Sequence, residues 1–373
     1  MHVAILIGSF SGGGAERAMV NFANGLDNKG VKVDLLVGYE TGPYRSLVNP
    51  SIHITALGGG MMRSVPKIRK WLGINAPQIL FCTQPHVGIA AILSTRFRKN
   101  RPTVVFREAT TPSRDFNFKK SLFGKAFLLL SSWLIRRADH LIATCKDAAT
   151  DSQSFYRIQP NQITPIYSSF VTDDIFEQAD EPIQHPWLSE NKTIVSTLGR
   201  VMPVKDFKTL VQAFGIVRKE IDCKLLVIGE TDRDPEYFEE LTELIESLDI
   251  KQEVDFVGFK SNPFPYLKHT DVYVLSSIYE GLPGSLVQAM ALGCRLVSTN
   301  CPSGPREVLD DGKFGTLVPV ADHAAMATAI SEALTQPQQP VDGSQGAKRF
   351  TEEFSINRLH ELFQRLLENR RVG

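Results

Sequence analysis

Three loops in this sequence gather residues able to bind anions and hydroxyl groups. Around position 280 the chain reads Ser276-Ser277-Ile278-Tyr279-Glu280-Gly281-Leu282-Pro283-Gly284-Ser285-Leu286-Val287-Gln288-Ala289-Met290. An apolar run ends, a loop presents Glu280, and Pro283 pre-sets the φ that begins a helix. The amides of Gly284, Ser285 and Leu286 then lack intrahelical partners and suit phosphate or sugar oxygens. Gln288, one turn in, can hydrogen-bond hydroxyls with either end of its amide. Glu280 as a simple partner of the helix dipole is the plainer alternative, but it leaves the Gly/Pro arrangement unexplained.

The second loop is Gly199-Arg200-Val201-Met202-Pro203-Val204-Lys205-Asp206. Two cations five residues apart can converge on a diphosphate, Arg200 by its planar fork and Lys205 as a point charge. An ordinary charged surface loop is the alternative. Its place at a strand carboxyl end, where α/β proteins bind ligands, favours the binding reading. The third loop, Gly8-Ser9-Phe10-Ser11-Gly12-Gly13-Gly14-Ala15-Glu16-Arg17, joins a strand to a helix start. Its glycines let backbone approach a ligand, and free amides there favour an anion; a plain tight turn is the alternative. The spacing is not GxGxxG, which disfavours a nicotinamide cofactor.

These loops need a scaffold of strands and helices in alternation, and the sequence supplies it. Val3–Ile7 is a continuous apolar run of the kind buried in parallel sheets. A helix follows over Ala15–Asn28, with Met19, Phe22, Ala23 and Leu26 at helical spacing. Further strands are expected at Val33–Val37, His53–Ala56, Gln78–Cys82, Thr103–Phe106, His140–Ala143 and Thr164–Ile166. An acidic, Pro-containing stretch interrupts the rhythm. It then restarts with strand Thr193–Thr197, helix Phe207–Glu220, strand Lys224–Ile228, helix Glu236–Leu248 and strand Val254–Val257. Strand Asp271–Leu275, helix Gly284–Leu292, strands Arg295–Ser298 and Thr316–Val318, and helix His323–Thr335 complete the second series.

Alternation of this kind builds doubly wound parallel sheets. The expected fold is α/β, with two Rossmann-like domains facing across a cleft that holds the ligand. An N-terminal domain is expected over 1–170, a linker over 171–190 and a second domain over 191–350. The residues 351–373 form a C-terminal helix that packs back on the first domain, with its apolar pattern over Ile356–Asn369.

The 373 residues suit two domains, and 41 Lys and Arg balance 41 Asp and Glu. The balance hides an asymmetry: residues 1–170 hold 21 Lys and Arg against 9 Asp and Glu. Between Ser94 and Arg137, 11 cations, Lys119, Lys120 and Lys125 among them, face only Glu108 and Asp115. Within that segment Leu122–Ile135 crowds Leu, Phe and Trp133 on a helical stretch, and the run Met61-Met62-Arg63 to Arg69-Lys70-Trp71 repeats the theme. Such segments suit an anionic membrane surface or lipid phosphates on an acceptor. A buried helix with basic ends is the alternative. No nucleic-acid motif accompanies the charge.

Five cysteines without CxxC spacing point to reduced thiols and a cytoplasmic protein, peripheral on the inner membrane face if the membrane reading holds. The apolar start Met1–Ser9 lacks a basic flank and reads as a strand, and no run of 18 apolar residues is present to span a bilayer.

The loops around Arg200 and Glu280 together resemble the signature of the large retaining glycosyltransferase family four, the glycogen-synthase-like GT-B enzymes of bacterial surface-polysaccharide assembly. That pattern runs Gly-Arg-x-x-x-x-Lys, then Glu-Gly-x-Pro-x-x-x-x-Glu-Ala-Met. The likeness extends through Gly258–Leu267, Cys301–Glu307 and the opening Gly-Gly-Ala-Glu-Arg. It implies transfer of a hexosyl or N-acetylhexosaminyl unit from a UDP-linked sugar to a saccharide or lipid-linked saccharide. Retention of configuration and independence of any metal or other cofactor are implied too, and Asp173-Asp174 and Asp310-Asp311 are adjacent pairs in loop contexts. By the same resemblance Arg200 and Lys205 grip the diphosphate, Glu280 contacts the transferred sugar, and the amides of Gly284, Ser285 and Leu286 contact sugar or phosphate. Phe259 and Lys260 frame the base, and Gly13 and Gly14 come near the reacting end of the donor.

One position departs from the pattern: the second Glu, which binds the ribose, is Gln288 here. On the acceptor side Arg17, His86, Arg107 and Glu108 are candidates. No His stands at 107–108, where many relatives carry one, and His86 reads as lining or packing rather than as a base. A non-catalytic sugar-nucleotide-binding subunit, or an epimerase or hydrolase of the same architecture, is the alternative.

Overall fold

In the computed structural model the described residues are all but 12–13, 119–120, 173, 337–342 and 373, with some further side chains omitted. Gly13, Lys119 and Lys120 therefore lie outside them. The chain forms two compact units, Met1–Ser169 with Glu352–Gly373, and Phe170–Thr351.

The first unit holds β1 (His2–Ser9), β2 (Lys32–Tyr39), β3 (His53–Ala56), β4 (Ile79–Thr83), β5 (Thr103–Glu108), β6 (His140–Ala143) and β7 (Ile163–Pro165). All pair in parallel, in the order β3-β2-β1-β4-β5-β6-β7. The helices are α1 (Gly14–Asn28), α2 (Val65–Asn75), α3 (Pro85–Thr95), α4 (Pro112–Phe118), α5 (Leu122–Ile135) and α6 (Lys146–Tyr156). Val3 to Ile7 are buried on both faces of the sheet, which is why they run apolar without alternation.

The C-terminal helix Glu352–Val372 completes this unit's core with Ile356, Leu359, Leu362 and Phe363. Phe363 meets Phe81 of β4 edge-on, ring centroids 5.5 Å apart. A side chain at Gly25 of α1 would come within 2.4 Å of Ile356 Cγ1, so the glycine sets how closely the two helices approach. The helix begins a turn before its apolar pattern, where Glu352 and Glu353 complement the positive end of its dipole.

The second unit opens with α7 (Ile175–Ala179) and α8 (Pro186–Ser189), so the stretch 171–190 expected as a linker carries structure of its own. Asn262 Nδ2 ties α7 down by donating to Gln178 O at 2.8 Å and to Glu181 Oε2 at 2.9 Å. Six parallel strands follow: β8 (Ile194–Leu198), β9 (Lys224–Ile228), β10 (Val254–Gly258), β11 (Val272–Leu275), β12 (Arg295–Thr299) and β13 (Thr316–Val318). Their order is β10-β9-β8-β11-β12-β13. Around them lie α9 (Phe207–Val217), α10 (Pro235–Ser247), α11 (Phe264–Lys268), α12 (Gly284–Ala291), α13 (Pro305–Val308), α14 (His323–Thr335) and α15 (Gly343–Ala347). In each sheet the order reverses beside the first strand, at β1/β4 and at β8/β11. Doubly wound sheets bind ligands at the strand carboxyl ends of such points.

His140, the first residue of β6, is buried with Nε2 2.8 Å from Thr164 Oγ1. Burial, helped by the charge of Arg365, holds its pKa down to about 4. Below the ordinary value of about 6.5 the unfolded chain takes up a proton that the folded one refuses, so stability falls as pH drops from about 6.5 towards 4. His140→Gln is expected to flatten that loss, worth up to about 3 kcal/mol. Urea midpoints of both proteins across this window measure it, and equal slopes would remove His140 as the cause.

Candidate active site

In the second unit, the two strands flanking the reversal bring Lys205 and Glu280 together. The Lys205 Nζ to Glu280 Oε1 distance is 2.6 Å, and Ser277 Oγ donates to the same carboxylate oxygen at 2.6 Å. Lys205 ends a short 3-10 turn, Pro203–Lys205, whose position is fixed by Ser276 Oγ donating to Lys205 O at 2.7 Å. The Glu280 amide donates to Pro302 O at 2.9 Å, so the loop after β12 supports the loop after β11. Gly304 lies against Pro283 in the same contact; with φ of 96° and a would-be Cβ 2.7 Å from Pro283 Cδ, only glycine fits it.

Helix α12 starts directly behind this pair. No side chain caps its first turn, so the Gly284, Ser285 and Leu286 amides stay open to an incoming oxygen. Buried Tyr273 of β11 donates to Ser285 Oγ at 2.7 Å and so fixes that turn. Burial pushes the Tyr273 hydroxyl well above its ordinary pKa, and it stays a donor. Gly284 packs under Phe170, where a Cβ would fall 2.5 Å from Cε1. Gln288 Nε2 donates to Phe170 O at 3.4 Å. A glutamate here would turn a carboxylate oxygen towards that carbonyl with no proton to share, which gives the departure from the family pattern a local physical reason.

The carboxyl ends of β8, β9 and β10 are kept bare by Gly199, Gly229 and Gly258. Gly229, at φ 154°, would set a Cβ 2.0 Å from Gly199 O. Val201 is buried and its amide donates to Glu230 O at 2.8 Å, which anchors the loop while Arg200 beside it stays exposed. The Arg200 side chain has no hydrogen-bond or ion-pair partner among the described residues, so it is free to meet an anion. Phe259 projects into solvent, and Lys260 Nζ lies 5.8 Å over the Tyr266 ring. Cys301, near Glu280, has its thiol pushed up to about 12, first by burial and then by that carboxylate, and remains protonated.

In the first unit, the reversal at β1/β4 brings together a different set. His86 Nε2 and Gln84 Oε1 lie over Gly8 at the end of β1, and Gln84 Nε2 donates to Glu16 Oε1 at 2.6 Å. His86 is exposed, yet partial burial of its ring lowers its pKa, with Glu16 pulling the other way. Gly14 is exposed at the start of α1, and Arg17, one turn in, is half-buried. Arg107 and Glu108 are buried instead. Arg107 Nη2 donates to Ser168 Oγ, and burial lowers its pKa to about 10 against the opposing effect of Glu108. Glu108 accepts from Thr110 N at 3.2 Å and from the Tyr156 hydroxyl.

The sequence reading named Arg200, Lys205, Glu280 and α12 but gave no role to Ser276, Ser277 or Tyr273. A tyrosine within an otherwise aliphatic strand is the one available signal, because a buried hydroxyl needs a partner. Among the described residues no group of three or more His, Cys, Asp or Glu is gathered as a metal site.

Two all-parallel sheets with reversed strand order, and polar groups gathered at each reversal, define the GT-B class of glycosyltransferase architecture. The fold is similar to that of Anabaena HepE, solved in complex with UDP, at a TM-score of 0.79 and 17% identity over 98% of this chain and 100% of that one. Residues 12–173 match the family model described as Glycosyltransferase Family 4, and residues 180–350 the model described as Glycosyl transferases group 1. The chain belongs to the family-four glycosyltransferases, and it is an enzyme of that class. A Campylobacter jejuni relative, N-acetylgalactosamine-N,N'-diacetylbacillosaminyl-diphospho-undecaprenol 4-alpha-N-acetylgalactosaminyltransferase, is 29% identical over 72% of this chain and 69% of its own length. A glycosyltransferase of Methanocaldococcus jannaschii is 27% identical over 52% of this chain, and the match spans about half, 47%, of that relative.

Gly284→Ala is expected to cost about 1–3 kcal/mol of stability, because its methyl meets the Phe170 ring. Phe170→Leu in the same chain should recover part of the loss. Chemical denaturation of the single and double variants measures the coupling, and additive effects would show that the two residues do not press on each other.

Proposed function

We propose that the protein transfers a hexosyl or N-acetylhexosaminyl unit from a UDP-linked sugar to a saccharide or lipid-linked saccharide acceptor. The transfer retains anomeric configuration, needs no metal ion, and serves cell-surface polysaccharide or glycolipid assembly at the cytoplasmic face of the membrane. The observation that carries the reading is the Lys205–Glu280 pair, beside exposed Arg200 and the uncapped start of α12. Similarity to the Campylobacter jejuni enzyme, whose name includes a diphospho-undecaprenol acceptor, supports a lipid-linked acceptor. The fold shared with HepE, solved with UDP, supports a UDP donor.

In this reading Arg200 and Lys205 hold the diphosphate, and the α12 amides add the helix's positive end to them. Glu280 accepts hydrogen bonds from the transferred sugar. Gln288 keeps its NH2 on Phe170 and offers its carbonyl oxygen to a ribose hydroxyl. Phe259 and Lys260 frame the base, while Gly13 and Gly14 allow close backbone approach to the sugar. Arg17 and His86 line the acceptor side, and Arg107 and Glu108 shape it from within. The acceptor hydroxyl attacks the anomeric carbon from the face on which the diphosphate departs. As that C–O bond breaks, the leaving phosphate oxygen takes the electron pair and then the hydroxyl proton. Cations and amides stabilise the departing charge as Mg²⁺ does in metal-dependent transferases.

Arg200→Ala and Lys205→Ala are each expected to lower kcat/KM by roughly 10–150-fold, the value of one charged hydrogen bond, while the fold survives. Steady-state kinetics with a UDP-sugar, together with thermal melts, checks both halves; near-normal turnover in both variants removes the diphosphate clamp. Activity should also persist in excess EDTA, and complete loss restored by Mg²⁺ would sink the metal-free reading. Glu280→Ala should impair transfer while calorimetric affinity for UDP alone stays close to wild type, and the opposite pattern would move Glu280 off the sugar.

A further inference from the structure

Helix α5 is turned inside out for a helix in water. Leu122, Phe123, Leu129, Leu130 and Trp133 are 84%, 83%, 54%, 57% and 44% exposed, while Ser131, Leu134 and Ile135 face the unit's interior. At 3.6 residues per turn Leu122, Ala126, Leu129, Leu130, Trp133 and Arg137 share one stripe. A contiguous exposed apolar stripe of this size marks a surface that another phase or partner covers.

The charges beside the stripe identify that partner. Arg137 lies with its guanidinium 3.5 Å over the Trp133 ring, Arg136 next to it is exposed, and Lys125 Nζ sits 5.4 Å over the Phe116 ring. Helix α5 carries no acidic residue. Glu108 is buried, and the side chain of Asp115 lies outside those described. A two-fold contact between copies of α5 would set cation against cation, and the helix itself brings no acid to neutralise them. Anionic lipid headgroups satisfy the cations while acyl chains cover the leucines, and the Trp133–Arg137 stack suits the boundary between the two. The 14 residues of α5 are about 21 Å long, too short to cross a bilayer, and no described helix is long and apolar enough to do so.

Building on the reading of a lipid-linked acceptor, we infer that α5 is the membrane-docking element. It lies in the plane of an anionic bilayer surface, with Leu122, Phe123, Leu129, Leu130 and Trp133 inserted at the headgroup–acyl boundary. Attraction of Arg136, Arg137 and Lys125 to the headgroups weakens with salt, whereas apolar insertion does not.

Co-sedimentation of the full chain with phosphatidylglycerol vesicles and with phosphatidylcholine vesicles tests this. The wild type is expected to bind the first more tightly, and added salt to narrow the gap. Leu122→Ser with Leu129→Ser should lower partitioning by at least about tenfold, since burying one leucine alone is worth that much. Melting temperature should not change, because both side chains already face solvent. Arg136→Gln with Arg137→Gln should weaken binding to phosphatidylglycerol only. Equal partitioning to both lipids, sedimentation with neither, or unchanged binding by the leucine variant each overturns the inference. So does a wild-type dimer in analytical ultracentrifugation that the leucine substitutions split, which would make a second copy the occupant. Turnover of UDP-sugar with a water-soluble acceptor, run alongside, separates the two readings. Vesicle binding through α5 without turnover would leave the docking helix standing and remove the transferase assignment, and turnover without vesicle binding would do the reverse.

Discussion

Everything chemical in this protein hangs on a topological constraint that occurs twice. Where strand order reverses, beside β1 and beside β8, the chains leaving the two adjacent strands depart to opposite faces of the sheet. No crossover can then cover the carboxyl ends between them, and loops from distant parts of the sequence meet there. Lys205 follows β8 and Glu280 follows β11, 75 positions later, yet they form a 2.6 Å ion pair. Gly8 lies one residue before the end of β1 and His86 follows β4, and they meet in the same way. Bare backbone at Gly229 is a further condition, since a side chain there would collide with the Gly199 carbonyl at the end of β8.

The Lys205–Glu280 contact also shapes how a ligand would enter. Lys205, proposed to hold a diphosphate, already has a carboxylate partner, which is itself held by Ser277. A dianion must displace one charge-assisted bond to form another, so the gain from Lys205 is a difference between two strong interactions. Arg200, exposed and unpaired among the described residues, gives its contact without that exchange. The two cations look equivalent in the sequence and are not equivalent in the fold.

Strand and helix order was legible because period and punctuation carry it: His53–Ala56, His140–Ala143, Lys224–Ile228 and Thr316–Val318 lie where the apolar runs put them. The loops after β8 and β11 were legible as loops for the same reason, each being a Gly- or Pro-marked turn after such a run. What escaped depends on register across the sheet. Gln288 bonding to Phe170, 118 positions away, has no local signal, and the tyrosine at 273 signals that its hydroxyl needs a partner without saying that the partner is Ser285. Arg107 and Glu108 look exposed because they are charged residues at a strand end, but the strand carries them inward to Ser168 and Tyr156. In Leu122–Ile135 apolar residues occur all round the helix, so periodicity could not say which side is covered. The interior claims only the side of Ser131, Leu134 and Ile135.

The order in which this chain is made differs from the order in which its first unit needs it. Residues 1–169 leave the ribosome first, yet their core includes Ile356, Leu359, Leu362 and Phe363. All of the second unit, residues 170–351, is synthesised before those side chains exist. Vectorial synthesis therefore gives the second unit a complete set of contacts while the first still has α1 and Phe81 open to solvent on the side the last helix will cover. During that interval the nascent first unit presents an unfilled apolar groove, the kind of surface chaperones hold. A fusion or cleavage near residue 352 would strike the amino-terminal unit, more than 180 residues away in sequence from the last residue of that unit's opening segment, Ser169.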